Sequence, residues 1–141
     1  MGILIGGLLP AVFYGVSSTF TKASTNAGIS TAYYTLFVGL SIVLASGLVL
    51  ILSSDSQWHI QSASYAGLSG LFWFMGTACV TFALSRYHMP IGKLVPIFNL
   101  NTLVAVSLGL LVFSEWKELN TLKLLVGAIL VCIGGSLVAT S

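Results

Sequence analysis

Formal charge in this chain falls between five apolar runs or at their edges, and that pattern leaves few folds open to it. The charged residues are Lys22, Asp55, Arg86, Lys93, Glu115, Lys117, Glu118 and Lys123. Between them lie the apolar segments Ile3–Thr21, Ala32–Leu52, Ala63–Leu84, Leu94–Phe113 and Leu122–Ala139. A bilayer span needs about 20 mostly apolar residues, and each segment is that long. Lipid offers no hydrogen-bond partner to a bare backbone, so these runs are predicted to be helices rather than open strands. The expectation is an all-α polytopic membrane protein, with residues 1–141 forming one five-helix domain.

Composition supports this reading. Of the 141 residues, 57% are hydrophobic and 6% charged, against about 25% charged in a soluble domain. A net charge of +2 argues against nucleic acid as a partner. Cys79 and Cys132 lie mid-run, where cysteine behaves as a small apolar residue. Neither a metal-ligand spacing nor a disulfide framework is visible, and no cofactor is expected. No basic residue precedes the first apolar run, so it reads as a retained span rather than a cleaved signal peptide.

The polar residues inside the spans are the candidates for function, because unpaired polar groups in hydrocarbon are costly. The first span carries Pro10, Tyr14, Ser17, Ser18 and Thr21 on one face. The hydroxyls there either bond back to their own helix or line a cavity. Asn26-Ala27-Gly28 reads as a turn, and Tyr33 and Tyr34 as interfacial aromatics. The third span repeats Ser69, Trp73, Thr77 and Thr81 one turn apart. Trp73 sits near mid-span, packed against neighbouring helices or offering a flat face to a solute. The stretch from Lys93 to Glu115 holds Pro96, Asn99 and Asn101. On one continuous helix the two amides point about 200° apart, so both cannot face one cavity. Pro96 withholds a donor, frees a carbonyl and favours a kink. On the fifth span Ala128, Cys132, Ser136 and Thr140 recur every fourth position, with Gly127, Gly134 and Gly135 beside them. That ridge suits close helix packing, within the bundle or in a dimer.

Charge leaves the orientation undecided. With the N-terminus inside, the inner joints hold Lys117 and Lys123, and the outer ones Lys22, Arg86 and Lys93. So even a balance permits copies inserted in opposite senses. Two such copies form an inverted pair, with a site where they meet.

The region from Pro96 to Val138 resembles an EamA-type repeat of the drug/metabolite transporter superfamily. The likeness rests on Pro96, Phe113-Ser114-Glu115 at the end of the fourth span, and a glycine-rich fifth span from Leu125-Val126-Gly127-Ala128 through Gly134-Gly135. Tyr14-Gly15 and Phe20-Thr21-Lys22 extend it to the first span. Asn99-Leu100-Asn101-Thr102-Leu103 followed by Glu115-Trp116 looks most like the glucose/rhamnose and small bacterial/archaeal five-helix branches. The resemblance implies one half of an inverted-repeat transporter in a prokaryotic inner membrane. It implies a homodimer, for which an antiparallel arrangement is open, or a heterodimer with a related half. The first span lacks the acid that small four-helix multidrug exporters carry there, so proton-coupled export of cations is not implied.

The expected function is a permease moving a small polar metabolite, such as a sugar, by alternating access. Candidate solute-binding residues are Tyr14, Ser17, Ser18, Lys22, Trp73, Thr77, Lys93, Asn99 and Asn101. Candidate packing or dimer residues are Ala128, Cys132, Gly134, Gly135 and Ser136. The rival readings are a non-transporting subunit that binds a partner protein, and an exporter of amino acids or drugs. With no carboxylate pair, metal-ligand set or Ser/His pair in the spans, an enzyme is not expected.

Overall fold

The computed structural model describes residues 1–53, 57–114 and 120–140. Asp55, Glu115, Trp116, Lys117 and Glu118, singled out above, lie outside the described residues. The fold is all-α, with no strand among the described residues. A π-helical turn over Leu4–Leu8 leads into α1 (Leu9–Asn26), followed by α2 (Thr31–Leu52) and α3 (Ile60–Arg86). The remaining helices are α4 (Ile91–Phe98), α5 (Asn101–Val112) and α6 (Thr121–Thr140). Among the described residues five stretches are long and apolar enough to cross a membrane, α4 and α5 together making one of them.

Side-chain burial runs opposite to that of a water-soluble domain. Among the described residues the buried hydrophobics are Leu84 and Ala128, while most large apolar side chains face outward. Three of the buried side chains are instead threonines, Thr21, Thr25 and Thr81. Hydroxyls turned inward and hydrocarbon turned outward suit a lipid surrounding.

Local chemistry explains the helix ends. Pro10 has no N–H and its ring crowds the carbonyl one turn back, and the π-turn that widens the helix lies just before it. At the end of α1, Gly28 takes φ +90, a region closed to most side chains. Ser30 then caps α2, its hydroxyl accepting from the Tyr33 N–H at 3.5 Å. The expected turn at Asn26-Ala27-Gly28 is present, with Asn26 as the last residue of α1. Helix α3 is longer than its apolar run at both ends. Tyr87 closes it, its ring edge-on to Phe82 with centroids 6.0 Å apart.

The fourth span is broken rather than kinked. Pro96 cannot donate to the carbonyl of Gly92. Between Ile97 and Leu103 the ladder tightens: Leu100 N–H bonds Ile97 O, Thr102 N–H bonds Asn99 O and Leu103 N–H bonds Leu100 O, each at 3.0 Å. These i→i+3 bonds separate α4 from α5. Asn99 is therefore the C-cap of α4 and Asn101 the first residue of α5.

The chain divides into two compact units, Met1–His88 and Met89–Ser141. In the first, α3 is the element on which both α1 and α2 pack. In the second, α6 packs chiefly along α4 and also touches α5.

Candidate functional site

In the first unit a groove of about 750 Å³ runs between α1 and α2. Drug-sized ligand pockets span roughly 300–1,000 Å³. On the α1 side it is lined by Phe13, Ser17, Phe20 and Ser24, spaced at i, i+4, i+7 and i+11. That spacing keeps them on one helical stripe, alternating aromatic ring and hydroxyl. From α2 come Tyr34, Phe37, Ser41 and Ala45 among others. None of the described residues that line the groove carries a formal charge.

The hydroxyls differ in what they have left to offer. Ser41 donates to the carbonyl of Phe37 at 2.9 Å, which leaves its oxygen as an acceptor. The side chains of Ser17 and Ser24 make no hydrogen bond with another described residue, so both can donate and accept. At the end near the α1–α2 turn, Thr21 Oγ1 and the Tyr34 hydroxyl are 2.7 Å apart. Thr21 gives its one proton to the Ser17 carbonyl at 2.9 Å, so Tyr34 is the donor in the cross-helix bond. This bond ties together two helices that otherwise pack on α3.

A second, smaller groove of about 180 Å³ lies between α2 and α3. Trp73 and Thr77 line it together with Thr35, Gly39 and Gly70. Below it, Thr81 is fully buried and donates to the Thr77 carbonyl at 2.9 Å.

The sequence-predicted residues separate accordingly. Ser17 reaches the larger groove, and Trp73 and Thr77 the smaller. Tyr14 is 65% exposed and lines neither. Ser18 returns its proton to the Tyr14 carbonyl at 2.9 Å, the back-bonded alternative raised above. Lys22 is half-buried on α1, and its carbonyl accepts from Thr25 Oγ1 at 3.0 Å. Lys93, half-buried on α4, belongs to the second unit, as do Asn99 and Asn101, both exposed.

The α6 ridge is used within the second unit. Gly135 and Ala128 are buried and Cys132 is half-buried, whereas Gly134 and Ser136 are exposed. A Cβ built on Gly135 would lie 3.0 Å from the Pro96 carbonyl oxygen, while one on Gly134 meets nothing within 4 Å. Close packing was expected of this ridge, and its inward side meets α4.

The residues that sequence reasoning missed are Phe13, Phe20, Ser24, Phe37 and Ser41. Their signal was available: the 13–17–20–24 stripe is one turn-by-turn face of α1, offset from Tyr14 and Ser18 by about 100°. Comparison with protein-family models, with curated proteins and with solved structures gives no match.

Proposed function

We propose that this chain is one half of a membrane permease that moves a small neutral solute bearing hydroxyl groups, working as a dimer by alternating access. The observation that carries this reading is the α1–α2 groove, an open, ligand-sized groove between spans lined by aromatic and aliphatic side chains, with the hydroxyls of Ser17, Ser24, Tyr34 and Ser41 among them and no formal charge. Aromatic faces cover the apolar side of a ring, and hydroxyl donors and acceptors select its polar edge. Two such halves in inverted orientation give the plan in which a site is alternately opened to each side. The resemblance to EamA-type repeats points the same way and favours a sugar or another polyol. Trp73 and Thr77, in the neighbouring groove against α2, form a second contact surface for the same solute.

Purified protein in proteoliposomes provides the test, with a labelled aldohexose and a labelled polyol as probes. Uptake above protein-free vesicles is expected, and Ser41→Trp, which fills the groove, should abolish it while leaving the folded protein intact. Full uptake by Ser41→Trp would remove the groove as the solute path.

A further inference from the structure

Asn101, like Asn99 two residues before it, differs from the back-bonded hydroxyls within the spans. Ser18, Thr21, Ser41 and Thr81 each return a proton to a carbonyl one turn back on their own helix. An amide carries two donors and an acceptor, and that of Asn101 is exposed and makes no hydrogen bond with another described residue. It lies ten residues into the span Ile91–Val112. At 1.5 Å per residue this is about 15 Å from one end and about 16 Å from the other, the middle of a hydrocarbon layer about 30 Å thick.

The face of α5 around it is open. Asn101, Ala105, Leu108 and Val112 are all exposed and follow at i, i+4, i+7 and i+11, whereas Leu103, Val106 and Leu110 on the other side are half-buried. The open stripe is thus apolar with one amide, and the small Ala105 one turn along lets a second backbone come close. A lone asparagine in an apolar helix seam sets pairing and register, because it is satisfied only when its counterpart lies opposite. The amide is its own complement, since donor meets acceptor in both directions across a two-fold axis.

We propose that the exposed face of α5 is a self-association seam, in which Asn101 pairs with Asn101 of a second copy at the centre of the membrane. This deepens the dimeric reading above, on which it rests, by naming the surface through which the halves meet. Its position has a geometric consequence. A residue at mid-depth meets its own copy whether the two chains insert in the same or in opposite senses. Ala105, about 6 Å further along the axis, meets its own copy only in the parallel case.

The test uses full-length protein in membranes, with Cys79 and Cys132 replaced by alanine and one cysteine introduced at a time. Under mild oxidation Asn101→Cys is expected to give a disulfide-linked dimer, and Leu103→Cys, on the other side of α5, is not. Ala105→Cys then reports the sense of pairing. Independently, dye-labelled protein in liposomes should show self-association about tenfold weaker for Asn101→Leu, with Asn101→Gln recovering part of the loss. A monomeric Asn101→Cys, or Asn101→Leu associating as tightly as the parent, overturns the seam. So does an Asn101→Leu protein that keeps its dimer but loses solute binding, which would return the amide to the solute. Intact pairing in a protein that takes up no solute removes the permease and leaves the seam.

Discussion

Gly135 of α6 rests against the carbonyl oxygen of Pro96 in α4, so closely that a methyl group there would stand 3.0 Å from that oxygen. Backbone cannot swing aside as a side chain can, and Gly135→Ala must push the two helices apart. Overpacking of this kind costs about 1–3 kcal/mol. Gly134→Ala adds the same methyl within α6 where nothing lies within 4 Å and should raise stability by about 0.5–1 kcal/mol, as alanine for glycine does in an open helix interior. Unfolding of both variants in detergent checks the difference, and equal stabilities would disprove the tight contact.

The Tyr34–Thr21 bond predicts a coupled pair. Removing the phenol hydroxyl in Tyr34→Phe takes away the donor that Thr21 accepts from, while Thr21 keeps its own bond to Ser17 O. The cost should be about 0.5–1.5 kcal/mol. In a double-mutant cycle with Thr21→Val the two losses should not add, because each change breaks the same bond. Strict additivity would mean that the hydroxyls do not interact.

Ser18→Ala should have little effect. Its hydroxyl serves the Tyr14 carbonyl on its own helix and lines neither groove. Solute uptake should stay at the parent level, and stability should change by less than about 0.5 kcal/mol. Ser17→Ala, one residue away and within the larger groove, should instead weaken solute binding. Reversal of that order in a binding assay would place the solute on the other face of α1.

His88 follows α3 with φ 51, a left-handed conformation that costs a non-glycine residue about 1–2 kcal/mol. His88→Gly should raise the melting temperature, corresponding to a gain of about 1 kcal/mol. His88→Val, branched at Cβ, should lower it. A fall in melting temperature for the glycine variant would show that the imidazole contributes more than the strain costs.

Much of the fold was legible because two strong rules govern it. Charges cannot sit in hydrocarbon, so they mark the joints, and each run between joints must hydrogen-bond internally. The break after Phe98 was half legible. Pro96 announced a fault, but a proline shows only which N–H is missing, not whether the chain bends through it or tightens into i→i+3 turns as it does at Leu100 and Thr102. The candidate site was less legible. Small hydroxyl residues read alike in sequence whether they back-bond, as Ser18 does, or face a recess, as Ser17 does. The choice is made by how α1 is rotated against α2, which depends on packing across helices. The aromatic lining was passed over because Phe13, Phe20 and Phe37 look like ordinary lipid-facing residues, and each stays more than half exposed even with the opposing helix beside it.

The boundary between His88 and Met89 bears on how the protein is made. The packing of α1 and α2 on α3, and the bond from Tyr34 to Thr21, require only residues that precede it. During synthesis the ribosome releases those three spans first, so this piece has every partner it needs for its own contacts before the broken span leaves the exit tunnel. Insertion can then proceed in two instalments, with the earlier one already tied by its phenol when the proline-bearing hairpin follows.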